Sequence, residues 1–366
     1  MYVRVIDLDG VGEQAAIAAR DPVVVSARDL APKLRLWASE RAYAELGRRI
    51  AAHPVAAPSV TFIGSGDFHN LTPLLLAEME GPLVVVHVDN HPDWVKLAPR
   101  RHCGAWVNRA LELPNVLKVI TVGPTSADLD SPDARGGAFD HLASGRIEMF
   151  PWRRPASKLR KPLNDGPGHR VGGGTLHWRE VGDDFSAFLP ELVARIPADA
   201  RVWLTIDKDA LRPEDAGTNW DQGEMPLEAL VALIEAVGAA RTIAGVDICG
   251  DWSRPRYDNP LKAIEAFFDR PKGTDRVVPD LAVNERTNAR LLEVLEHALL
   301  PCKAGEGDHT KCAGGGDAVA IVPLEPAPSG SVYSPRHLPR SAGEEKGINP
   351  QKDKVRPLRK LARAAP

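Results

Sequence analysis

Acidic and imidazole side chains alternate at the end of one apolar run of the sequence. Residues Val84–Val88 are mostly β-branched, which predicts a strand buried on both faces. Asp89, His91 and Asp93 follow it at alternate positions. If the chain stays extended there, residues two apart point the same way, so three potential metal ligands converge. A polar turn before Pro92 would explain one such residue, but the pattern recurs further along the chain.

Two other predicted strands end in the same kinds of residue. Asp67 and His69 follow an earlier apolar run, and Asp207 and Asp209 follow a later one. Carboxylates with a few imidazoles suit hard or borderline divalent ions such as Mn²⁺. The set exceeds what one ion needs, so the sequence favours two ions that share a bridging carboxylate. Such a pair lowers the pKa of a bound water and stabilises a hydrolytic displacement.

Strand and helix patterns alternate along most of the chain, which predicts an α/β fold with a mostly parallel sheet and helices on both faces. Sites in such sheets lie at the carboxyl ends of the strands. The Gly-, Pro- and Arg-rich stretch 124–180 predicts loops with one strand. The predicted strands are 3–8, 23–25, 59–63, 84–88, 116–122, 147–149, 202–206 and 242–248, and the predicted helices are 32–52, 71–79, 105–113, 185–196, 227–239, 261–268 and 284–300.

Composition limits the classes of function. The chain has 366 residues, 43% hydrophobic content and a net charge of −3, so neither nucleic acid nor an anionic membrane is indicated as a partner. No apolar stretch approaches the roughly 20 residues of a membrane span. The first residues lack a signal peptide's apolar segment, and the four cysteines suit a reducing compartment, so we expect a cytoplasmic protein.

Two segments differ in composition. Residues 1–300 carry the strand and helix patterns and are expected to form one domain. Residues 301–366 are rich in Pro, Gly and charged residues, with few large apolar side chains. Such a segment cannot bury much apolar surface, so we expect a largely disordered tail.

Three motifs resemble those of the ureohydrolases, a family that includes arginase, agmatinase and formimidoglutamase. Residues 89–93 resemble the Asp-Ala-His-x-Asp signature, and residues 64–69 resemble Gly-Gly-Asp-His with one residue inserted. Residues 205–211 resemble Ser-Ile-Asp-x-Asp-x-Leu, and order and spacing agree. The resemblance covers about residues 55–255. It implies a single three-layer α/β/α domain, arginase- and deacetylase-like, around a mostly parallel sheet of about eight strands.

The resemblance also implies a role for each ligand-type residue. A hydroxide bridging two divalent ions, most often Mn²⁺, would cleave a C–N bond of a guanidino, amidino or formimino small molecule. His69 and Asp93 would bind the first ion, His91 and Asp209 the second, and Asp89 and Asp207 both. Asp93 would also orient the hydroxide, and His102 would carry protons to the leaving amine.

Two departures from the family pattern affect the site. Phe68 displaces the first histidine, which leaves open whether Asp67 or His69 faces the metal. Gly250 stands where the family places a substrate-binding Glu, and Asp251 is the nearest candidate to replace it.

Other functions remain open. A mononuclear zinc deacetylase of the related fold would need only Asp89, His91 and Asp207. A metal-binding relative without catalysis would explain the missing Glu. Asp7 and Asp9 match the motif of haloacid-dehalogenase-type phosphatases, in which the first Asp is a nucleophile. Under the ureohydrolase-like hypothesis we expect a small-molecule substrate as the partner. Whether the chain forms a homo-oligomer is left open.

Overall fold

Two sheets are present in the computed structural model, which describes residues 1–96, 101–270 and 278–299. The larger sheet has eight strands and the smaller one has three. The strands are β1 (Tyr2–Asp7), β2 (Val23–Ser26), β3 (Ser59–Gly64), β4 (Leu83–Val88), β5 (Val116–Val122), β6 (Ile147–Phe150), β7 (Ser157–Lys158), β8 (His169–Gly172), β9 (Thr175–Trp178), β10 (Arg201–Asp207) and β11 (Ile243–Cys249).

The larger sheet has the strand order β2-β1-β3-β11-β10-β4-β5-β6, and every neighbouring pair is parallel. The predicted parallel α/β sheet is therefore confirmed. The strands β4 and β10 lie side by side near its middle, with Val88 opposite Ile206. Their carboxyl ends consequently meet at one edge of the sheet.

Helices cover both faces of this sheet. The α-helices are α1 (Ala15–Ala18), α2 (Ala31–Leu34), α3 (Glu40–Ala51), α4 (Thr72–Leu76), α5 (Trp106–Ala110), α6 (Phe139–Ala143), α7 (Phe185–Ala194), α8 (Leu227–Ala240), α9 (Pro260–Asp269) and α10 (Leu281–Ala298). Short 3₁₀ helices cover Val11–Glu13, Gly66–Leu71, Cys103–Ala105, Ala127–Leu129 and Lys208–Ala210.

Alternate residues of the central strands face two separate cores. Val84, Val86 and Val88 of β4 pack with apolar side chains of α1, α7, α8 and α10. Leu83 and Val85 face the other side and pack with side chains of α2 to α6. Because successive residues of a strand point to opposite faces, this division shows why β4 is apolar throughout. The arrangement is the predicted three-layer α/β/α fold.

The helix predicted over residues 32–52 is two helices, and the break has a visible cause. Leu36 has a φ of 63°, in the left-handed region that a right-handed helix does not contain. Its backbone N–H donates to the carbonyl of Asp67 at 3.0 Å, and its own carbonyl accepts from the N–H of Cys103 at 2.7 Å. The hydroxyl of Ser39 then caps the start of α3. These distant partners override the helical periodicity.

The small antiparallel sheet, in the order β7-β9-β8, lies where the sequence predicts loops. Its strands have two to four residues, too few for an alternating pattern to show. Gly173 and Gly174 join β8 to β9, and both have positive φ, at 58° and 75°. Two positive-φ residues suit the tight turn of a two-residue hairpin.

No helix among the described residues is long and apolar enough to cross a membrane. The disordered tail predicted for residues 301–366 lies outside the described residues.

Replacing Leu204 by alanine tests the burial of the central strands. Leu204 lies in β10 and is fully buried in one of the two cores. We expect Leu204→Ala to lower the free energy of unfolding by about 2–5 kcal/mol, because the leucine side chain leaves a cavity. Urea denaturation followed by circular dichroism measures this loss. Leu117→Ala, at a β5 position that is 42% exposed, should change it by less than about 0.5 kcal/mol; equal losses would contradict the assignment.

Candidate metal centre

Four buried carboxylates meet at the carboxyl ends of β4 and β10. Asp207 ends β10, and Asp89 follows β4 beside it, because the two strands run in parallel register. Asp209 lies two residues after Asp207, and Asp93 lies four residues after Asp89. None of the four is more than 8% exposed. The alternating spacing in the sequence therefore does bring these acids together.

His91 joins Asp89 and Asp209 in one group of ligand-type side chains. Its Nδ1 lies 3.0 Å from Oδ2 of Asp209 and 3.6 Å from Oδ1 of Asp89. The three residues each offer a ligand atom, and these atoms lie within 4.8 Å of one another. On the other side of the ring, Nε2 lies 3.0 Å from Oδ1 of Asp221. A carboxylate on the second nitrogen is the usual support of a metal-binding imidazole, although the sequence does not single out Asp221.

His69, rather than Asp67, faces the cluster. Both lie in the 3₁₀ helix Gly66–Leu71, where residues two apart point in different directions. Asp67 is fully buried between Arg35 and Arg270, which pair with its two oxygens. Burial alone would raise the pKa of Asp67, but the two guanidinium groups outweigh it and lower this pKa. The inserted Phe68 packs in the core under Arg35.

The hydrogen bond at Nε2 of His69 determines which ring nitrogen carries the proton in the neutral form. The hydroxyl of Thr205 donates to Asp247 at 2.8 Å, so its oxygen accepts from Nε2–H of His69 at 2.8 Å. In the neutral ring, Nδ1 then carries the lone pair. This Nδ1 is buried and makes no hydrogen bond of good geometry to a described residue, although Oδ2 of Asp89 lies 3.1 Å away. A proton or a bound cation would satisfy a ring nitrogen that lies among carboxylates in this way.

Asp93 is held in an unusual backbone conformation beside His69. Its φ is 45°, which is rare for a residue other than glycine and occurs often at functional sites. The indole N–H of Trp106 donates to its Oδ2 at 2.7 Å. The same oxygen lies 3.4 Å from Nδ1 of His69. Asp93 therefore lies within reach of the ion that His69 would bind.

The electrostatics of the cluster favour added positive charge. Burial, together with neighbouring carboxylates, raises the pKa of Asp93, Asp207 and Asp209. Burial lowers the pKa of His69, but the nearby carboxylates outweigh it and raise this pKa to about 10. The folded cluster thus draws protons, and two divalent ions would neutralise the same charge. The oxygen and imidazole donors fit such ions.

A cleft of about 590 Å³ opens onto the cluster. Asp89, His91, Asp93, Asp207 and Asp209 are among its lining residues. Beyond the proposed ligands, four further acids and two arginines line the cleft: Asp128, Asp221, Glu265, Asp269, Arg135 and Arg270. If bound ions neutralise the ligand carboxylates, the other lining residues still carry four acidic groups against two arginines. This excess of negative charge suits a cationic substrate.

His102 lies in this cleft with both ring nitrogens engaged. Nδ1 accepts from the backbone N–H of Gly104 at 2.9 Å, so the proton of the neutral ring is on Nε2. Nε2 lies 2.7 Å from Oε1 of Glu265 in α9. The other oxygen of Glu265 accepts from the indole of Trp37 at 2.8 Å. The hydrogen bond from His102 is the main cause of the lowered pKa of Glu265.

Asp251, which the sequence suggests for substrate binding, is not among the lining residues of the cleft. Its Oδ1 pairs with Nζ of Lys208 at 2.8 Å, and both side chains are buried. Gln14 also donates to this oxygen at 2.8 Å. Asp251 thus balances a buried lysine. The preceding Gly250 has a φ of 91°, and a Cβ there would lie 2.5 Å from the backbone nitrogen of Lys208 and closer still to Asp207. This backbone leaves no room for a glutamate at Gly250.

The phosphatase-like pair lies outside the lining of the cleft. Asp7 pairs with Arg28 at 2.7 Å and accepts from the backbone of Gly10. Asp9 is nearly buried, accepts from the backbone N–H of Ser65 at 3.0 Å and lies 3.8 Å from Arg35. These contacts give both acids structural roles.

Comparison with known proteins gives similarities at low identity. No protein-family model matches the chain. An uncharacterized protein from Thermotoga maritima is 24% identical over 251 residues, which cover 68% of this chain and 80% of that protein.

Among solved structures, an arginase from Entamoeba histolytica in complex with L-ornithine is 14% identical, with a TM-score of 0.48, over 73% of this chain and 96% of its own. A hypothetical agmatinase from Burkholderia thailandensis is 18% identical, with a TM-score of 0.47, over 81% of this chain and 86% of its own. Arginase and agmatinase are members of the family whose motifs the sequence resembles.

Asp9 provides a test of the electrostatics at this edge of the sheet. Burial raises its pKa from 3.8 to about 6. The folded state therefore binds this proton more tightly than the unfolded state, and stability is lost as the pH rises from about 4 to above 6. The shift of about 2 units corresponds to about 3 kcal/mol at about 1.4 kcal/mol per unit.

We expect Asp9→Asn to remove this loss. The difference in unfolding free energy between wild type and variant should move in favour of the variant by up to about 3 kcal/mol between pH 4 and pH 7. Urea denaturation at several pH values measures this difference. Parallel stability profiles for the two proteins would contradict the raised pKa.

Proposed function

We propose that this protein is a binuclear-metal hydrolase that cleaves a C–N bond of a cationic guanidino, amidino or formimino small molecule. The observation that carries the proposal is the meeting of six ligand-type side chains at two adjacent strand ends, where a buried imidazole nitrogen without a hydrogen-bond partner lies among the carboxylates. The six residues are His69, Asp89, His91, Asp93, Asp207 and Asp209. The sequence motifs support the reaction class.

The six residues divide into two overlapping sets. His69 and Asp93 would hold one ion, His91 with Asp209 would hold the other, and Asp89 and Asp207 would contact both. Two divalent ions, when bound, supply a water activated at neutral pH and stabilise charge that develops during hydrolysis. We propose Mn²⁺ for the half that His91 and Asp209 hold, because its donors are carboxylates and an imidazole.

The residues around the ions have separate tasks. Asp93, positioned by Trp106, would accept a hydrogen bond from the attacking water and orient it. His102 would carry a proton to the leaving amine when its ring is doubly protonated, and it would return to the neutral form after the transfer; Glu265 would hold the ring through Nε2. Each is within the cleft that the substrate would enter.

Recognition of the substrate cation is proposed to come from α9. Gly250 excludes an acid at the end of β11, but Glu265 and Asp269 lie one turn apart on α9 and line the same cleft. Residues four apart share one face of a helix. Their carboxylates would replace the missing strand-end acid. We further propose that the chain acts in the cytoplasm.

Metal analysis tests the centre directly. We expect the purified protein to bind two divalent ions per chain, measured by plasma mass spectrometry. Asp89→Ala combined with Asp207→Ala should bind neither, because the two acids between the ions are gone. Asp128→Ala, on the rim of the same cleft, is the matched control and should bind both. A single zinc per wild-type chain would favour the mononuclear deacetylase, and retained metal in the double variant would refute the site.

The reaction is tested by a screen for released ammonia and urea across guanidino, amidino and formimino compounds. The double variant should be inactive on every compound that the wild type hydrolyses. A wild-type protein that holds two ions and releases neither product would favour the metal-binding relative without catalysis.

Glu265→Gln tests the role of α9. On the substrate found, kcat/KM should fall about 10- to 100-fold, since a charge-assisted hydrogen bond contributes roughly 1.5–3 kcal/mol. Metal content should be unchanged, because Glu265 is not a proposed ligand. Glu214→Gln, at a side chain that is 74% exposed, is the control and should match the wild type. An unaffected Glu265→Gln enzyme would exclude this helix from substrate recognition.

A further inference from the structure

Cys249 is a buried thiol at the metal centre to which the proposed function gives no role. It is the last residue of β11 and is fully buried. Its Sγ lies 3.2 Å from Oδ2 of Asp207. Atoms of Cys249, Asp207 and His69 all lie within 4.8 Å of one another. One sulfur, one oxygen and one nitrogen atom are therefore close enough together to hold one metal ion.

A second observation marks the same point. Nδ1 of His69 lies 3.6 Å from Oδ2 of Asp207 and 3.1 Å from Oδ2 of Asp89, and it finds no hydrogen-bond partner of good geometry among the described residues. The His69 side chain is only 1% exposed, so water does not reach this nitrogen from the surface. An unpartnered buried nitrogen costs free energy unless a cation or proton meets it. The nitrogen thus indicates a ligand independently of the cysteine.

We propose that Cys249 is a ligand of the ion held by His69 and Asp207, and that this half of the centre selects Zn²⁺ over Mn²⁺. The proposal rests on the metal centre of the proposed function and changes its expected composition. Thiolate ligands suit zinc, whereas oxygen ligands suit manganese. The half formed by Asp89, His91 and Asp209 keeps only oxygen and nitrogen donors.

Ligation exchanges one bond for another at the sulfur. The S–H bond breaks, the metal–sulfur bond forms, and the proton leaves to solvent; no oxidant or reductant is needed. A thiol is a weak hydrogen-bond donor, and Asp207 already accepts from the backbone N–H of Asp209 at 3.0 Å. The hydrogen bond from Cys249 therefore adds little to the positioning of Asp207, whereas a metal–sulfur bond adds a strong contact.

The spectra of the metal-loaded full-length protein test the proposal. The protein is freed of metal with a chelator and reloaded with Co²⁺ or Zn²⁺. Wild type with Co²⁺ should show the near-ultraviolet charge-transfer band of a thiolate ligand. X-ray absorption of the zinc form should show one sulfur at about 2.3 Å beside nitrogen and oxygen at about 2.0–2.2 Å. Both measurements use the wild type, so they do not depend on a variant that folds.

Variants assign the sulfur. Cys249→Ser should lose the charge-transfer band and the sulfur scatterer. Cys103→Ser is the matched control and should keep both, because Cys103 is also buried and lines the cleft but joins no ligand group among the described residues. The Kd for Zn²⁺ should rise in Cys249→Ser by more than the roughly 10- to 100-fold that loss of a ligand's outer partner causes. The Kd for Mn²⁺ should change less.

The outcomes separate the two proposals. A protein that binds two ions without a charge-transfer band or a sulfur scatterer would overturn the role of Cys249 and leave the metal centre intact. A protein that binds no divalent ion would overturn both. A Cys103→Ser protein that loses the band, with Cys249→Ser retaining it, would place the sulfur elsewhere and also overturn the proposal.

Discussion

Repulsion among four buried carboxylates is the constraint on which the rest of this structure depends. Asp89, Asp93, Asp207 and Asp209 lie together where water does not screen them, and taking charge out of water costs several kcal/mol per ion unless it is paired. The three histidines that contact these acids, His69, His87 and His91, supply at most three positive charges. The cluster therefore needs further positive charge, which protons supply in the metal-free protein and which the two proposed ions would supply when bound.

The surrounding residues serve to hold this charged group in one arrangement. The parallel register of β4 and β10 sets two of the acids side by side, and the two cores hold those strands on both faces. Four of the six proposed ligands then have a further partner that orients them. These pairs are His69 with Thr205, His91 with Asp221, Asp89 with His87 and Asp93 with Trp106. Such partners fix tautomers and ring orientation, which is why loss of one weakens a metal site.

The sequence predicts what is local and periodic in this protein. The strands of the parallel sheet are apolar runs, and the acids follow them at alternate positions, so the fold and the proposed ligand set are both visible without coordinates. Whether Asp67 or His69 faces the cluster is not visible in the sequence. It depends on a 3₁₀ helix and on two arginines, distant in sequence, that form ion pairs with Asp67. The same holds for the break at Leu36, which distant backbone partners stabilise.

Contacts between distant parts of the chain explain the remaining differences. Glu265 reaches His102 across 163 residues, and Asp221 reaches His91 across 130. No spacing in the sequence marks either acid. Asp251 stands beside the motif and invites a substrate-binding role, but the buried Lys208 pairs with it. The sequence does not show that this acid lies next to a buried charge that needs an opposite charge.

The backbone at Gly250 links the metal ligands to the choice of substrate contacts. Gly66 and Gly250 both lie against Asp207 so closely that a Cβ at either position would collide with its carboxylate. This tight fit orients Asp207 toward His69 and Cys249, and it removes the strand-end position from which an acid could reach a substrate. The negative charge for a cationic substrate must then come from another element. In the proposed function, helix α9 would supply it from the rim of the cleft, so the packing that positions Asp207 would also move substrate recognition outward.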